Sequence, residues 1–319
     1  MTEEEAQLAA IEVIGLRKTY PGGVEAVRGL DFRVEPGEVF GLLGPNGAGK
    51  STAVGMLTST VAPTGGSARL EGFDVVREPL AARGISSVVF QEPVVDRALS
   101  GRHNLDLHAQ LLRVEPGIAR ARATHLVETL GLVELIDRPV STYSGGERRR
   151  LEIARALVSE PRVLFLDEPT VGLDPRVRYE LMDVIADLRD RGQITILLTT
   201  HYLDEAERLC DRVAIVHQGR IVALDTPEAL LDGLGRELIE LRVDGKPEPA
   251  IAALRAHRVA GSDAFAVGST LTVPLRERSA AEALRLIDEL RLGRVLATRR
   301  PTLDDVYLRL TGDRLAEAA

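Results

Sequence analysis

The sequence predicts an α/β core with a mainly parallel sheet, followed by a small α+β module. Three observations support this prediction. Short apolar runs alternate with helical patterns over most of the chain, as expected for strands that helices cover on both faces. A glycine-rich loop at residues 44–52 joins one such run to a helix. Beyond residue 236 the order of elements becomes β-α-β-β-α-β, which predicts a separate module.

Composition favours a globular protein kept in the cytosol. The 319 residues are 45% hydrophobic and 28% charged, and this length suffices for one large domain and one small domain. No apolar run approaches the roughly 18 residues that span a bilayer, and the chain opens with the acidic Met1-Thr2-Glu3-Glu4-Glu5. The single cysteine, Cys210, cannot form an internal disulfide and therefore suits a reducing compartment. Because the formal net charge is −8, we expect no nucleic-acid partner.

The amino-terminal part combines a β-rich layer with the start of the core. Residues 11–14 and 26–34 have strand patterns, and a turn at 35–38 leads into the apolar strand 39–43. A helix is expected from Lys50 to about Thr58, a turn at 63–66, and strands near 68–72 and 84–91.

Strand signals then stop between residues 92 and 142, where two helical patterns predict a helical insertion into the α/β domain. These helices cover 101–114 and 117–130. The α/β pattern resumes with a helix at 145–158, a buried strand at 163–166, a helix at 176–191 and a strand at 193–199.

The pattern changes again near residues 230–235. Beyond this point we predict strands at 237–243, 264–267, 271–275 and 295–299, and helices at 247–256, 280–292 and 303–310. This order indicates a small ferredoxin-like α+β domain. The predicted domains are therefore 11–229, with its helical part at 92–142, and 236–312.

The glycine-rich loop has the composition of a phosphate cradle. Its glycines allow several backbone N–H groups to converge on one anion, and the following helix points its positive end at the same place. Lys50 would then meet the β- and γ-phosphates, and Ser51 would offer a hydroxyl to Mg²⁺. The alternative is an ordinary turn that happens to precede a lysine. The nucleotide-binding residues predicted here are Gly44, Pro45, Asn46, Gly47, Ala48, Gly49, Lys50, Ser51 and Thr52.

Two carboxylates follow the buried strand at 163–166. Asp167 would stand at the carboxyl end of the sheet, where it can hold Mg²⁺ together with Ser51. Glu168 could then polarise the water that attacks the γ-phosphate. The alternative is that both residues merely cap the strand or the next helix.

A third motif, Ser144-Gly145-Gly146-Glu147, opens a helix. Ser144 and Glu147 have the spacing of a capping box, which is sufficient reason for both residues. Two glycines in the first turn nevertheless lower helix stability, so we expect close approach to that backbone. A second phosphate-binding helix terminus would explain them.

Together these motifs resemble the nucleotide-binding subunit of an ATP-binding cassette (ABC) transporter, over about residues 11–229. The resemblance places Walker A at 44–52, the signature motif at 143–147 and Walker B at 163–168, although Tyr143 replaces the commoner Leu and Glu147 the commoner Gln. It implies a P-loop NTPase core with an amino-terminal β-subdomain. It further assigns Tyr20 to adenine stacking, Gln91 to Mg²⁺ and the attacking water, Asp174 to the dimer interface and His201 to the γ-phosphate.

The family mechanism implied by this resemblance needs two copies of the chain. They would meet head to tail, with the phosphate loop of one copy and the signature motif of the other enclosing each ATP. Since Ser51, Asp167, Glu168 and His201 are all present, both sites of a homodimer are expected to hydrolyse ATP.

Residues 89–93, 142–146 and 300–312 further resemble the daunorubicin-resistance type of ATPase, which energises ABC-2-type exporters. The last of these stretches is also a plain amphipathic helix. The resemblance implies efflux of a drug or other hydrophobic compound through a separate permease that docks near 92–142, which would hold the chain at the inner face of the cell membrane. Two other functions stay open: a soluble ABC ATPase acting in translation or DNA repair, and the ATPase of an importer.

Overall fold

The structure is a computed structural model and describes residues 8–190, 194–261, 263–275 and 278–312. Its strands are β1 (Ile11–Thr19), β2 (Glu25–Val34), β3 (Val39–Leu43), β4 (Gly65–Leu70), β5 (Phe73–Asp74), β6 (Ser86–Val89), β7 (Val163–Asp167), β8 (Thr195–Thr200), β9 (Arg212–His217), β10 (Arg220–Asp225), β11 (Glu237–Arg242), β12 (Phe265–Val267), β13 (Thr270–Leu275) and β14 (Arg294–Arg299).

The helices are α1 (Lys50–Leu57), α2 (Pro79–Gly84), α3 (Gly101–Leu111), α4 (Pro116–Thr129), α5 (Gly145–Leu157), α6 (Pro175–Asp190), α7 (Leu203–Leu209), α8 (Pro227–Asp232), α9 (Glu248–Ala256), α10 (Ala280–Glu289) and α11 (Leu303–Thr311). A short 3₁₀ helix covers Val140–Thr142. In the described ranges, no helix is both long enough and apolar enough to cross a membrane.

An antiparallel layer of four strands, in the order β2-β1-β4-β5, forms the amino-terminal part. β1 is longer than the predicted strand 11–14 because register shifts between Val13 and Leu16 carry the pairing past Gly15. Phe32 of this layer stacks on Phe40 of the core, with ring centroids 5.1 Å apart. The aromatic contact joins the layer to the main sheet.

The main sheet has six strands in the order β10-β9-β3-β8-β7-β6. Each neighbouring pair from β9 to β6 is parallel, and every residue of β3, β7 and β8 is buried. The prediction of a mainly parallel α/β core is confirmed. Because parallel strands end at the same edge, the segments that follow Leu43, Val89, Asp167 and Thr200 leave the sheet on one side.

The predicted helical insertion lies between β6 and β7. α3 ends at Leu111 and not at residue 114, because Arg113 adopts a left-handed conformation with φ of 58°. Asn104 stabilises the backbone that leads into α3, since its amide nitrogen donates to the carbonyl oxygens of Asp96 and Ser100, both at 3.0 Å.

The chain divides into two compact units at Ile221–Val222. The second unit contains an antiparallel sheet in the order β12-β13-β11-β14, with α9 and α10 inserted as the ferredoxin-like pattern requires. Arg299 of β14 holds α11 through two hydrogen bonds to Asp305, of 2.7 and 2.8 Å, and also contacts Glu240 of β11.

Several predicted boundaries were wrong. Gly84 ends α2 and does not start a strand, and β4 begins at Gly65, inside the predicted turn. α10 stops at Glu289, three residues early, because Arg291 is left-handed at φ 50°. The predicted ends at Arg191 and Gln193 lie outside the described residues. No helix or strand was predicted between 203 and 229, where α7, β9, β10 and the start of α8 lie.

Candidate active site

The phosphate loop connects β3 to α1, and close backbone contacts determine its shape. A Cβ atom on Gly44 would lie 2.4 Å from the carbonyl oxygen of Val216, and one on Gly49 would lie 2.4 Å from that of Ala26. Gly49 also has a φ of 106°, which L side chains rarely adopt. Both positions therefore require glycine.

The turn between β9 and β10 braces this loop. The backbone N–H of Gly219 donates to the carbonyl oxygen of Ala48 at 2.9 Å, and the N–H of Arg28 donates to the carbonyl oxygen of Gly219 at 2.8 Å. The loop is thus connected to β2 through main-chain atoms.

Lys50 is buried at the start of α1. Its Nζ donates to the carbonyl oxygens of Gly44, at 2.7 Å, and Pro45, at 3.0 Å, and lies 3.0 Å from Oε1 of Glu168. All three donors of the ammonium group have partners, so the protein compensates this buried charge.

Asp167 lies at the carboxyl end of β7, as predicted. Its Oδ1 accepts hydrogen bonds from Ser51 Oγ, at 3.1 Å, and from Thr199 Oγ1, at 2.6 Å. The adjacent hydroxyl and carboxylate oxygens are the hard ligands that Mg²⁺ prefers, and phosphate oxygens and water can complete its octahedron. The residues present therefore fit a magnesium ion.

Glu168 is buried and held in a left-handed conformation with φ of 44°. Its backbone N–H donates to Thr199 Oγ1 at 2.9 Å. Burial acts to raise the pKa of Glu168, but the His201 ring and the Lys50 charge outweigh it, so the pKa lies below its ordinary value. Glu168 is ionised at neutral pH and can orient a water molecule.

His201 follows β8 on the other side of Glu168. Its Nδ1 lies 3.4 Å from Glu168 Oε2, within ion-pair distance when the ring is protonated, and makes no hydrogen bond to the described residues. The His201 ring also packs on Tyr202, with centroids 4.2 Å apart.

Ser144 and Glu147 form the predicted capping box at the start of α5. The Glu147 N–H donates to Ser144 Oγ at 3.3 Å, and the Ser144 N–H donates to Glu147 Oε2 at 2.7 Å. Gly145 is exposed, whereas Gly146 is buried against α6. A Cβ on Gly146 would lie only 2.1 Å from Cγ1 of Val177, so packing within the chain is one reason for this glycine.

The structure thus brings together Lys50, Ser51, Asp167, Glu168 and His201. Other predicted residues lie apart from this group. Tyr20 follows β1 and is half-buried, with Lys18 Nζ 5.0 Å from its ring centroid, and Gln91 is exposed beyond β6. Asp174 accepts from the Val177 N–H at 3.1 Å and so caps α6.

Two residues of this region were not predicted from the sequence. Thr199 connects Asp167 to the backbone of Glu168, but it lies in the continuous buried run of β8, where a hydroxyl gives no signal of its own. The other is Arg149. It is one of three consecutive arginines, and such a run of charges is typical of a solvated helix face.

The parallel sheet, the phosphate loop with its buried lysine and the paired carboxylates define a nucleoside triphosphatase of the P-loop class. Comparison with known proteins narrows the class. The sequence profile of the ABC transporter family matches residues 27–171. The chain is 42% identical to the daunorubicin/doxorubicin resistance ATP-binding protein DrrA of Streptomyces peucetius, over 97% of this chain and 96% of that protein.

It is also 38% identical to the Nod factor export ATP-binding protein I of Rhizobium etli, over 98% of this chain and 96% of that protein. Among solved structures, CbiO1 from Clostridium perfringens, part of an ABC transporter complex, superposes with a TM-score of 0.65 at 29% identity, over 70% of this chain and 91% of that one. The chain therefore belongs to the ATP-hydrolysing, ATP-binding subunits of the ABC transporter family.

Proposed function

We propose that the chain is the ATPase subunit of an ABC-2-type exporter, which moves a drug or another hydrophobic compound through a separate permease. The observation that carries this proposal is similarity along nearly the whole chain to ATP-binding proteins named for drug resistance and for Nod factor export. That similarity includes the carboxyl-terminal unit, which lies beyond the residues that the family profile matches.

In the proposed ATP site, the loop Gly44 to Thr52 binds the phosphates, and Lys50 exchanges its backbone partners for phosphate oxygens. Ser51 and Asp167 hold Mg²⁺, which neutralises the phosphate charge when bound. Glu168 orients and deprotonates the attacking water, since it is ionised at neutral pH.

The remaining site residues act around this centre. His201 lies beside Glu168 and is assigned to the γ-phosphate. Gln91 is assigned to Mg²⁺ and the attacking water. Tyr20 offers a half-buried aromatic ring for stacking on adenine. Ser144, Gly145, Gly146 and Glu147 are assigned to ATP bound by a second copy, with Asp174 at the interface. Exposure of Ser144 and Gly145 at a helix N-terminus supports a head-to-tail dimer.

The permease is proposed to dock on the helical part, residues 92–142. Exposed apolar side chains occur there at Leu107, Leu111, Ile118 and Val133, which suits contact with another protein. Such docking would place the chain at the cytoplasmic face of the membrane. β10 joins the main sheet as far as Asp225, which supports 11–229 as the ATP-binding domain and 236–312 as an accessory domain.

Co-purification and one active-site variant test this function together. The tagged full chain should purify from membranes with a polytopic membrane protein, and E168Q should bind ATP and dimerise but hydrolyse it about 10²–10⁴ times more slowly. Purification with ribosomes or nucleic acid would overturn the exporter proposal in favour of a soluble ATPase. Uptake, and not efflux, by reconstituted vesicles would make the complex an importer. Full turnover by E168Q would remove Glu168 as the general base.

A further inference from the structure

Arg149 occupies an unusual position in the second turn of α5, two residues after the signature motif. Its side chain is buried and points away from solvent toward the ends of β6 and β7. The guanidinium group donates to four backbone carbonyl oxygens, those of Phe90 at 2.5 Å, Pro169 at 2.6 Å, Asp167 at 3.1 Å and Glu168 at 3.3 Å.

These acceptors belong to two separate parts of the active site. Phe90 immediately precedes Gln91. The other three acceptors are the last residue of β7 and the two residues after it, where Glu168 provides the carboxylate beside Lys50. The Arg149 side chain therefore links three segments: the loop that contains Gln91, the turn at Glu168 and helix α5, which Ser144 caps.

Glu152, one turn further along α5, completes the arrangement. Its Oε2 accepts from Arg149 at 3.0 Å, and its Oε1 accepts from the backbone N–H of Val94 at 2.6 Å. The pair therefore holds the chain on both sides of Gln91. Both side chains are buried, and desolvation of a charge is costly unless its hydrogen bonds are complete.

The backbone of Glu168 needs such support. Its φ of 44° is uncommon for a residue other than glycine, and strained conformations persist only when the surroundings determine them. Thr199 holds the N–H side of this residue at 2.9 Å, and Arg149 holds the carbonyl side. Removal of Arg149 would leave the carbonyl side of Glu168 without this support, so the left-handed turn that aims its carboxylate would be less well determined.

We propose that Arg149 is a positioning residue for ATP hydrolysis, which couples the placement of Ser144 on the partner's ATP to the placement of Glu168 and the Gln91 loop in its own subunit. Contact at one ATP site thus prepares the general base of the other. The inference rests on the proposed head-to-tail dimer, and it gives the helix between the two sites a specific function.

The test uses the full chain and three variants. R149K keeps the positive charge beside Glu152, but its compact ammonium group cannot reach acceptors in both segments. R149M/E152M removes the buried pair together, which avoids an unpaired buried carboxylate. R162Q is the matched control, because Arg162 is an exposed arginine at the opposite end of β7 that pairs with Glu71 on the surface.

For R149K and R149M/E152M we expect kcat to fall about 10- to 100-fold, while KM and equilibrium ATP binding stay within about threefold. The Hill coefficient for ATP should fall toward 1, since the coupling between sites is lost. R162Q should match the wild type. In an E168Q background, R149K should slow the residual hydrolysis by less than about threefold, because both substitutions disable the same group.

Wild-type kcat in both Arg149 variants would overturn the inference. So would a loss of ATP binding that parallels the loss of kcat and of thermal stability, because that pattern indicates a purely structural residue. Failure of the proposed exporter function looks different: ribosomes, nucleic acid or substrate uptake would then accompany the wild-type chain, while the kinetic defects of the Arg149 variants would remain.

Discussion

Substitution of Gly146 tests two separate reasons for this glycine: packing of α5 against α6 and the proposed contact with ATP. In G146A, the new Cβ would lie 2.1 Å from Val177 Cγ1, far inside van der Waals contact, so α5 and α6 have to separate or Val177 has to rotate. Overpacking of this severity costs about 3 kcal/mol. The gain in helix propensity from Gly to Ala offsets about 1 kcal/mol. The expected net loss is about 2 kcal/mol.

The companion variant V177A removes the clashing methyl group. The atom that would remain, Val177 Cβ, lies 3.5 Å from the position of the new Cβ, which is ordinary contact. In a V177A background, G146A should therefore be neutral or stabilising by up to about 1 kcal/mol, which gives a coupling energy of about 2–3 kcal/mol.

Urea denaturation of the four proteins, followed by far-ultraviolet circular dichroism, measures this coupling. Equal destabilisation by G146A in both backgrounds would refute the packing argument. ATPase assays of the double variant separate the second role of this glycine. Because the first turn of α5 is proposed to approach the partner's ATP, we expect stability to recover while hydrolysis stays impaired.

Three further outcomes are expected. Burial, and then the charge of a neighbouring arginine, lower the pKa of His108 from 6.5 to about 4 in the folded protein. As the pH falls below about 6.5, His108 is therefore protonated in the unfolded chain but not in the folded one, and the folded state loses stability. Urea titrations at pH 7.5 and 5 should show that H108L is spared about 1–2 kcal/mol of that loss, and equal losses would contradict the assignment. R299M should destabilise the carboxyl-terminal unit by about 2–4 kcal/mol, because Asp305 stays buried without its cation. The control R294M, on the exposed side of β14, should leave stability unchanged. Hydrogen exchange across 236–312 measures both variants, and similar effects would refute the ion-pair argument. S51A should raise the Mg²⁺ concentration for half-maximal ATPase at least about tenfold, and an unchanged Mg²⁺ dependence would exclude Ser51 as a ligand.

The sequence allowed the clustering of these side chains to be predicted because they lie where strands end. Once the sheet is parallel, residues after separate strands must meet at one edge, so Lys50, Asp167, Glu168 and His201 come together without any knowledge of their contacts. Signals in the region 203–229 were weaker. The apolar run of β9 has only four fully buried residues, and periodicity cannot distinguish so short a run from a helical segment.

The burial of Arg149 and the packing of Gly146 against Val177 escaped prediction for another reason. The burial of one arginine among three depends on how α5 is rotated against β6 and β7, and the need for glycine at 146 depends on Val177, thirty-one residues away. Both effects arise from packing between elements, which local patterns do not encode. Spacing can identify a phosphate loop, but only tertiary structure identifies the residues that brace it.

The turn at Gly219 has a practical consequence for measuring turnover. Since main-chain atoms alone make its bonds to Ala48 and Arg28, neighbouring side chains on this turn can be replaced without disturbing them. The next residue, Arg220, is exposed and would accept a cysteine-linked fluorophore. The native thiol, Cys210, is buried and its pKa is raised by that burial, so it should stay unlabelled. The fluorescence of a single dye at this position would then report changes at the phosphate loop during ATP turnover.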